Sequence, residues 1–128
     1  MIQPLPVVAN KPIIKYKPTT NGFARGNCTY YVALRRAKMG KPVTWRGNAG
    51  MWFENAKKQG YAVGARPMVG AIYVTRRESS RGSNLGHVAI IEKIVGDKML
   101  LTEMNYTGFN KVSSRWVPVN KTGVGYIY

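Results

Sequence analysis

The sequence predicts an α+β domain, with helices in the N-terminal half packed on an antiparallel β-sheet built from the C-terminal half. Three observations predict it. Apolar residues recur at helical spacing in two segments before residue 60, each closed by a glycine. From Gly70 onward the runs become short, rich in β-branched and aromatic residues, and separated by turn residues. No helical segment lies between those runs, so consecutive strands connect directly and run antiparallel.

Taken in order, residues 1–22 read as an extended arm. Pro4, Pro6, Pro12 and Pro18 punctuate it, and each holds the residue before it extended. Its Val and Ile residues lay part of it against the body. Residues 23–128 form one domain, long enough to bury a single core. The first helix runs from Asn27 or Cys28 to Met39, with Gly40 as its stop and Pro42 just beyond. Its apolar stripe is Cys28, Tyr31, Val32 and Leu34. The second helix covers about Asn48 to Gln59, where Met51, Trp52 and Ala56 follow helical spacing and Gly60 ends the segment. Trp45 and Trp52 read as packing around it, and Gly47 and Gly86 as tight turns. The strands are "GAIYVTRRE", "HVAIIEKIV", "KMLLTEMNY", "VSSRWVPV" and "VGYIY".

Charge narrows the partners. Twenty Lys and Arg face five acids, a formal +15 with a pI near 10.3. Such a field attracts polyanions: nucleic acid, anionic lipid, or the teichoic and phosphate polymers of bacterial walls. The basic residues are spread along the chain in short clusters, with no polybasic tail. One cysteine excludes an internal disulfide framework. With one His and scattered acids (Glu54, Glu78, Glu92, Asp97, Glu103), no metal and no cofactor is expected. No apolar run approaches the length of a membrane span. The first residues lack the charged and apolar regions of a standard signal peptide.

Cys28 is the one thiol, and it stands at the entrance to a helix. A free cysteine is usually a small buried hydrophobe, but a helix N-terminus is also where a thiol becomes a nucleophile. Three polar residues in the strand-rich half complete a set. His87 opens the apolar run "GHVAIIEKI", and Glu103 and Asn105 stand two apart in "LLTEMNY", on one face if the segment is a strand. Each alone has a structural reading: a hydrogen-bonded core histidine, a solvated carboxylate. Together with Cys28 they supply a nucleophile, a base that also protonates the leaving group, and polar groups to hold the imidazole. The hairpin between 87–95 and 98–106 supplies a geometric condition. A plain two-residue turn at Gly96-Asp97 sets Ile90 opposite Glu103 and sends His87 to the other face. An odd loop or a β-bulge sets Ala89 opposite Glu103 and His87 opposite Asn105.

Five segments carry a family resemblance: "GNCTYYVA" around Cys28, "WRGNAGMW" at 45–52, "RPMVGAIYV" at 66–74, "GHVAIIE" at 86–92 and "TEMNYTG" at 102–108. In this order they resemble the CHAP domain, the cysteine- and histidine-dependent amidohydrolase/peptidase family of bacterial and phage wall hydrolases, over residues 23 to 117. The resemblance implies a papain-like (NlpC/P60-like) fold. It places the family's catalytic residues on Cys28, His87, Glu103 and Asn105. It also implies a peptidoglycan hydrolase that cleaves an amide bond through a thioester, as an N-acetylmuramoyl-L-alanine amidase or an endopeptidase. Before the cysteine the family commonly has Gln; here the shorter Asn27 takes the oxyanion-side position. Tyr106 and Trp116 are assigned either to a substrate groove or to sheet packing. The calcium loop of some relatives has no counterpart. The expected partners are peptidoglycan and anionic wall polymers, with no specific nucleic acid, and the protein is expected to be a monomer acting at the bacterial wall after secretion or phage release, or as part of a virion. The competing readings are a non-catalytic cationic module gripping wall polymer or nucleic acid, and another papain-like chemistry such as a transferase.

Overall fold

A computed structural model describes residues 21–75 and 85–128 of the chain. Nearly all of the arm expected at 1–22, and the basic stretch 76–82, lie outside the described residues.

Helix α1 spans Cys28–Lys38. Asn27 precedes it in an extended conformation, and Arg35, Arg36 and Lys38 crowd its last turn, where cations meet the negative end of the helix dipole. Gly40, at φ 78°, closes it, as its position in the sequence predicts, and the Lys41 N–H folds back onto the Arg36 carbonyl at 2.8 Å. The buried face is wider than the predicted stripe: Tyr30, Tyr31, Val32 and Ala33 are all buried, and so is Arg36. Arg36 is 2% exposed because its Nη1 donates to the Ile127 carbonyl at 3.0 Å and to the Gly70 carbonyl at 3.4 Å. The guanidinium thus caps a strand end that lies far along the chain.

The second helical segment is divided. A 3₁₀ turn at Ala49–Met51 leads into α2, Trp52–Lys58. The break has a local cause. The Gly50 N–H donates to the Leu85 carbonyl at 2.7 Å, outside the helix ladder. Gly86 presses so closely that a Cβ there would stand 2.4 Å from the Gly50 Cα and 2.5 Å from the Thr75 carbonyl oxygen. With φ +81°, Gly86 is a position only glycine fills without strain.

Six strands form one antiparallel sheet among the described residues: β1 (Val63–Gly64), β2 (Ile72–Thr75), β3 (His87–Val95), β4 (Lys98–Met104), β5 (Val112–Pro118) and β6 (Val124–Ile127), in the order β1-β6-β2-β3-β4-β5. The two-residue β1 was not predicted; so short a run carries no periodic signal. Each face of the sheet buries its own core. Ile72, Val74, Val88, Ile90 and Met104 pack against α1, Trp45 and Trp52. Tyr73, Ala89, Ile91, Met99, Leu101, Val117 and Tyr126 fill the opposite face. Across that face the Tyr126 hydroxyl on β6 comes within 3.8 Å of the Met99 sulfur on β4.

The β3–β4 hairpin meets the condition derived above, by the bulge. Val95 pairs with Lys98 across the two-residue turn, and Ile94 with Met99. The register then shifts between Ile91 and Lys93, so that Ile91 faces Leu101 and Ile90 faces Thr102. Continued by one residue, this register sets Ala89 against Glu103 and brings His87 and Glu103 to the same face.

Candidate active site

Cys28 is the first residue of α1, half-buried and free. Its backbone N–H belongs to the first turn, where the helix ladder supplies no acceptor. His87 begins β3 immediately after the Gly86 turn and is 5% exposed. Its Nε2–H donates to Glu103 Oε1 at 2.9 Å. The other ring nitrogen is left to the hydrogen bond with Cys28. Burial pushes the imidazolium down, but the bonds to Cys28 and Glu103 outweigh it and raise the His87 pKa to about 9.

Glu103 is fully buried, which overturns the reading of it as a solvated carboxylate. Its second oxygen accepts from Arg115 Nε at 2.8 Å. Arg115 on β5 donates from Nη1 to the Tyr106 hydroxyl at 3.1 Å and lies 3.8 Å from that ring's centroid. The Tyr106 ring in turn stands 5.5 Å from the His87 ring. A thiol, an imidazole, a carboxylate and a guanidinium therefore form one polar chain from the helix start onto the sheet.

Arg115 was not predicted. The only signal was an arginine at an inward position of "VSSRWVPV", and reading it required knowing that Arg115 pairs with Leu101.

Asn105 differs from expectation. Strand β4 ends at Met104, and Asn105 turns the chain at φ 63°, a left-handed conformation that Asn tolerates better than most residues. Its side-chain Nδ2 donates to Asn27 Oδ1 at 3.0 Å. The carboxamide therefore braces the residue before the thiol, while the imidazole is held by Glu103. Cys28, Asn27, His87, Asn105 and Tyr106 all line one cleft of about 500 Å³, closed by 22–24, 47–49 and 85–86.

Trp116 is not among the residues that line this cleft. It pairs with Leu100, four residues along β4 from the cleft end at Met104, or roughly 13 Å of strand. It is 49% exposed, with the Lys93 ammonium 5.6 Å from its ring centroid. No described helix is long and apolar enough to cross a membrane.

This arrangement has known counterparts. The chain is 40% identical over 111 residues to a probable autolysin, LDP, of Staphylococcus aureus, an alignment covering 84% of this chain and 37% of that protein. It is 36% identical over 100 residues to the N-acetylmuramoyl-L-alanine amidase sle1 of the same species, covering 77% of this chain and 28% of that protein. A crystal structure of an N-acetylmuramoyl-L-alanine amidase from S. aureus superimposes with a TM-score of 0.73 at 25% identity, over 89% of this chain and 37% of that one. The chain thus spans between 28% and 37% of the length of these relatives. The family model described as CHAP domain matches residues 18–105. With more than half of its length under that match, and with Cys28 and His87 paired across the cleft, the chain belongs to the CHAP domain family.

Proposed function

We propose that this chain hydrolyses an amide bond of bacterial peptidoglycan with Cys28 as nucleophile and His87 as acid and base, on a papain-like scaffold. The observation that carries the reading is the buried hydrogen-bonded chain Cys28–His87–Glu103–Arg115 opening into the cleft. The relatives described as autolysins and as N-acetylmuramoyl-L-alanine amidases support the substrate class.

In this reading the His87 imidazolium faces the Cys28 thiolate. The sulfur attacks the amide carbonyl carbon. The resulting oxyanion takes a hydrogen bond from the Cys28 N–H, a contribution of roughly 3 kcal/mol in other hydrolases. Asn27, anchored by Asn105, stands on the same side. As the C–N bond breaks, His87 passes its proton to the departing amine and leaves a thioester on Cys28. The neutral imidazole then takes a proton from water, which attacks the thioester, releases a carboxylic acid and restores the ion pair. Glu103 fixes the ring and favours its charged form, and Tyr106 walls the cleft beside it. The +15 surface adds affinity for anionic wall polymer. Work at the bacterial wall, as a monomer, completes the reading.

Digestion of purified sacculi followed by mass spectrometry tests it. New chain ends at an amide bond are the expected result. Cleavage between muramic acid and L-Ala marks an amidase, and new amino termini within the stem or bridge mark an endopeptidase. Intact sacculi to which the protein remains bound would leave only the cationic-module reading.

The imidazolium also sets a pH dependence. The His87 pKa lies above its ordinary 6.5, so the ring is charged below about 9 and neutral above it. The rate is expected to fall as pH rises, with an apparent pKa near 9, as the ring loses the proton it passes to the departing amine. In Glu103→Gln that limb moves to lower pH, because one of the two groups that raise it has lost its charge. A limb unmoved by Glu103→Gln would detach the carboxylate from the imidazole.

A further inference from the structure

The segment "GHVAIIE" ends on Glu92, which the chemistry above does not use. Glu92 is the extra residue of the bulge, between Ile91 and Lys93. Its carboxylate accepts from both terminal nitrogens of Arg35 on α1, Nη2 at 3.0 Å, and from the Thr102 hydroxyl on β4. Arg35 Nη1 also reaches the Tyr31 hydroxyl at 3.0 Å and Thr102 Oγ1 at 3.3 Å. The Arg35 bond is the main cause that holds Glu92 below the ordinary carboxylate range. The three elements tied together here, α1, β3 and β4, are those that carry Cys28, His87 and Glu103.

The tie matters because the apolar pattern of β3 does not choose its own register. Val88, Ala89, Ile90 and Ile91 are all fully buried, two against each core. A one-residue slip normally exposes an apolar face, but here both faces are apolar. Without the bulge, the two-residue turn sets Glu92 opposite Leu101, in the apolar core on the sheet face away from α1. Burial of an unpaired carboxylate there opposes that register. With the bulge, Glu92 emerges on the α1 face, where Arg35 and Thr102 receive it.

We propose that Glu92, gripped by Arg35 and Thr102, is a positioning residue that selects the bulged register and so holds His87 between Cys28 and Glu103. The proposal rests on the thiol–imidazole chemistry proposed above. The groups that face His87 are Cys28 from α1, Glu103 from β4 with Arg115 of β5 behind it, and the Tyr106 ring. Glu92 is five residues away along the strand, roughly 16 Å. At that distance, and with the Arg35 guanidinium against it, the carboxylate has little direct effect on the His87 titration. It acts through geometry.

His87 is the one histidine, so its ring resonances report that geometry by NMR without any substrate. The wild-type midpoint is expected near 9. Glu92→Ala is expected to lower it by about one unit or more, toward the ordinary 6.5. Turnover of sacculi should fall about 10- to 100-fold, with KM changed less than about twofold. Glu92→Gln keeps one acceptor oxygen for Arg35 and should recover part of both. Should Glu92→Ala not fold, Thr102→Val carries the same two readouts. A midpoint within about 0.3 unit of wild type, with turnover within about twofold, in the folded variant overturns the proposal. Persisting turnover in Cys28→Ala overturns the underlying chemistry instead, so the two failures are distinguishable.

Discussion

Cys28→Ala is expected to lower release of peptidoglycan fragments by about 10⁴- to 10⁶-fold, the range seen when a hydrolase loses its nucleophile. The residual rate comes from what remains in place: the cleft, the backbone donor at the start of α1, and the held imidazole. Stability should hardly change. Cys28 is half-buried and packs at the margin of the helix-side core, so its truncation removes about 1 kcal/mol or less. Binding to wall polymer should survive as well, because the surface charge is untouched. That separation decides between catalyst and adhesive: binding retained with turnover lost identifies a catalyst. Because the chain has a single cysteine, alkylation by iodoacetamide supplies a parallel test. Inactivation should follow label incorporation one to one. Turnover within tenfold of wild type, in either the alanine variant or the fully alkylated protein, would end the thiol mechanism.

Much of this arrangement was legible in the sequence because its signals are local. The glycine stop after α1, the two-residue turn at Gly96-Asp97 and the strand runs each follow from a few adjacent residues. The choice of Cys28, His87 and Glu103 came from residue chemistry, and the hairpin reading stated the register that would join them. What stayed hidden depends on pairings between distant segments. The burial of Arg36 is explained by the Gly70 and Ile127 carbonyls, both on segments far along the chain. Arg115 reads as a solvated strand residue until the β4–β5 register brings it to Glu103. Asn105 was read as strand because "TEMNY" alternates. Its left-handed turn answers a demand set by the chain reversal, where its N–H meets the Lys111 carbonyl at 3.1 Å. Val-Ala-Ile-Ile offers no polar face by which a strand register can be read, so the polar residue that follows it carries the information.

Arg115→Met is expected to be the most destabilising single change at the site. The Glu103 carboxylate is fully buried between His87 and Arg115, one on each oxygen. Removing the guanidinium leaves a buried carboxylate with the imidazole on one oxygen and no cation on the other. Breaking a buried pair from one side typically costs about 3–5 kcal/mol. The Arg115 side chain is 21% exposed, so water replaces part of the lost interaction and about 3 kcal/mol is the better expectation. Methionine keeps the length of the stem against Tyr106, so the loss reflects charge and hydrogen bonding more than packing. Arg115→Lys should recover only part of it, since a lysine ammonium is a point charge without the planar geometry that places Nε on Glu103. The decisive comparison is the double variant Glu103→Gln/Arg115→Met. With neither charge present, stability should return to within about 1 kcal/mol of wild type, whereas turnover should remain low because His87 has lost its carboxylate. Denaturant unfolding of the four proteins in this cycle measures the coupling, expected at about 2 kcal/mol or more. Additivity within about 0.5 kcal/mol would mean that Arg115 and Glu103 do not act as a unit. The guanidinium would then be surface decoration, and the carboxylate would be held by the imidazole alone.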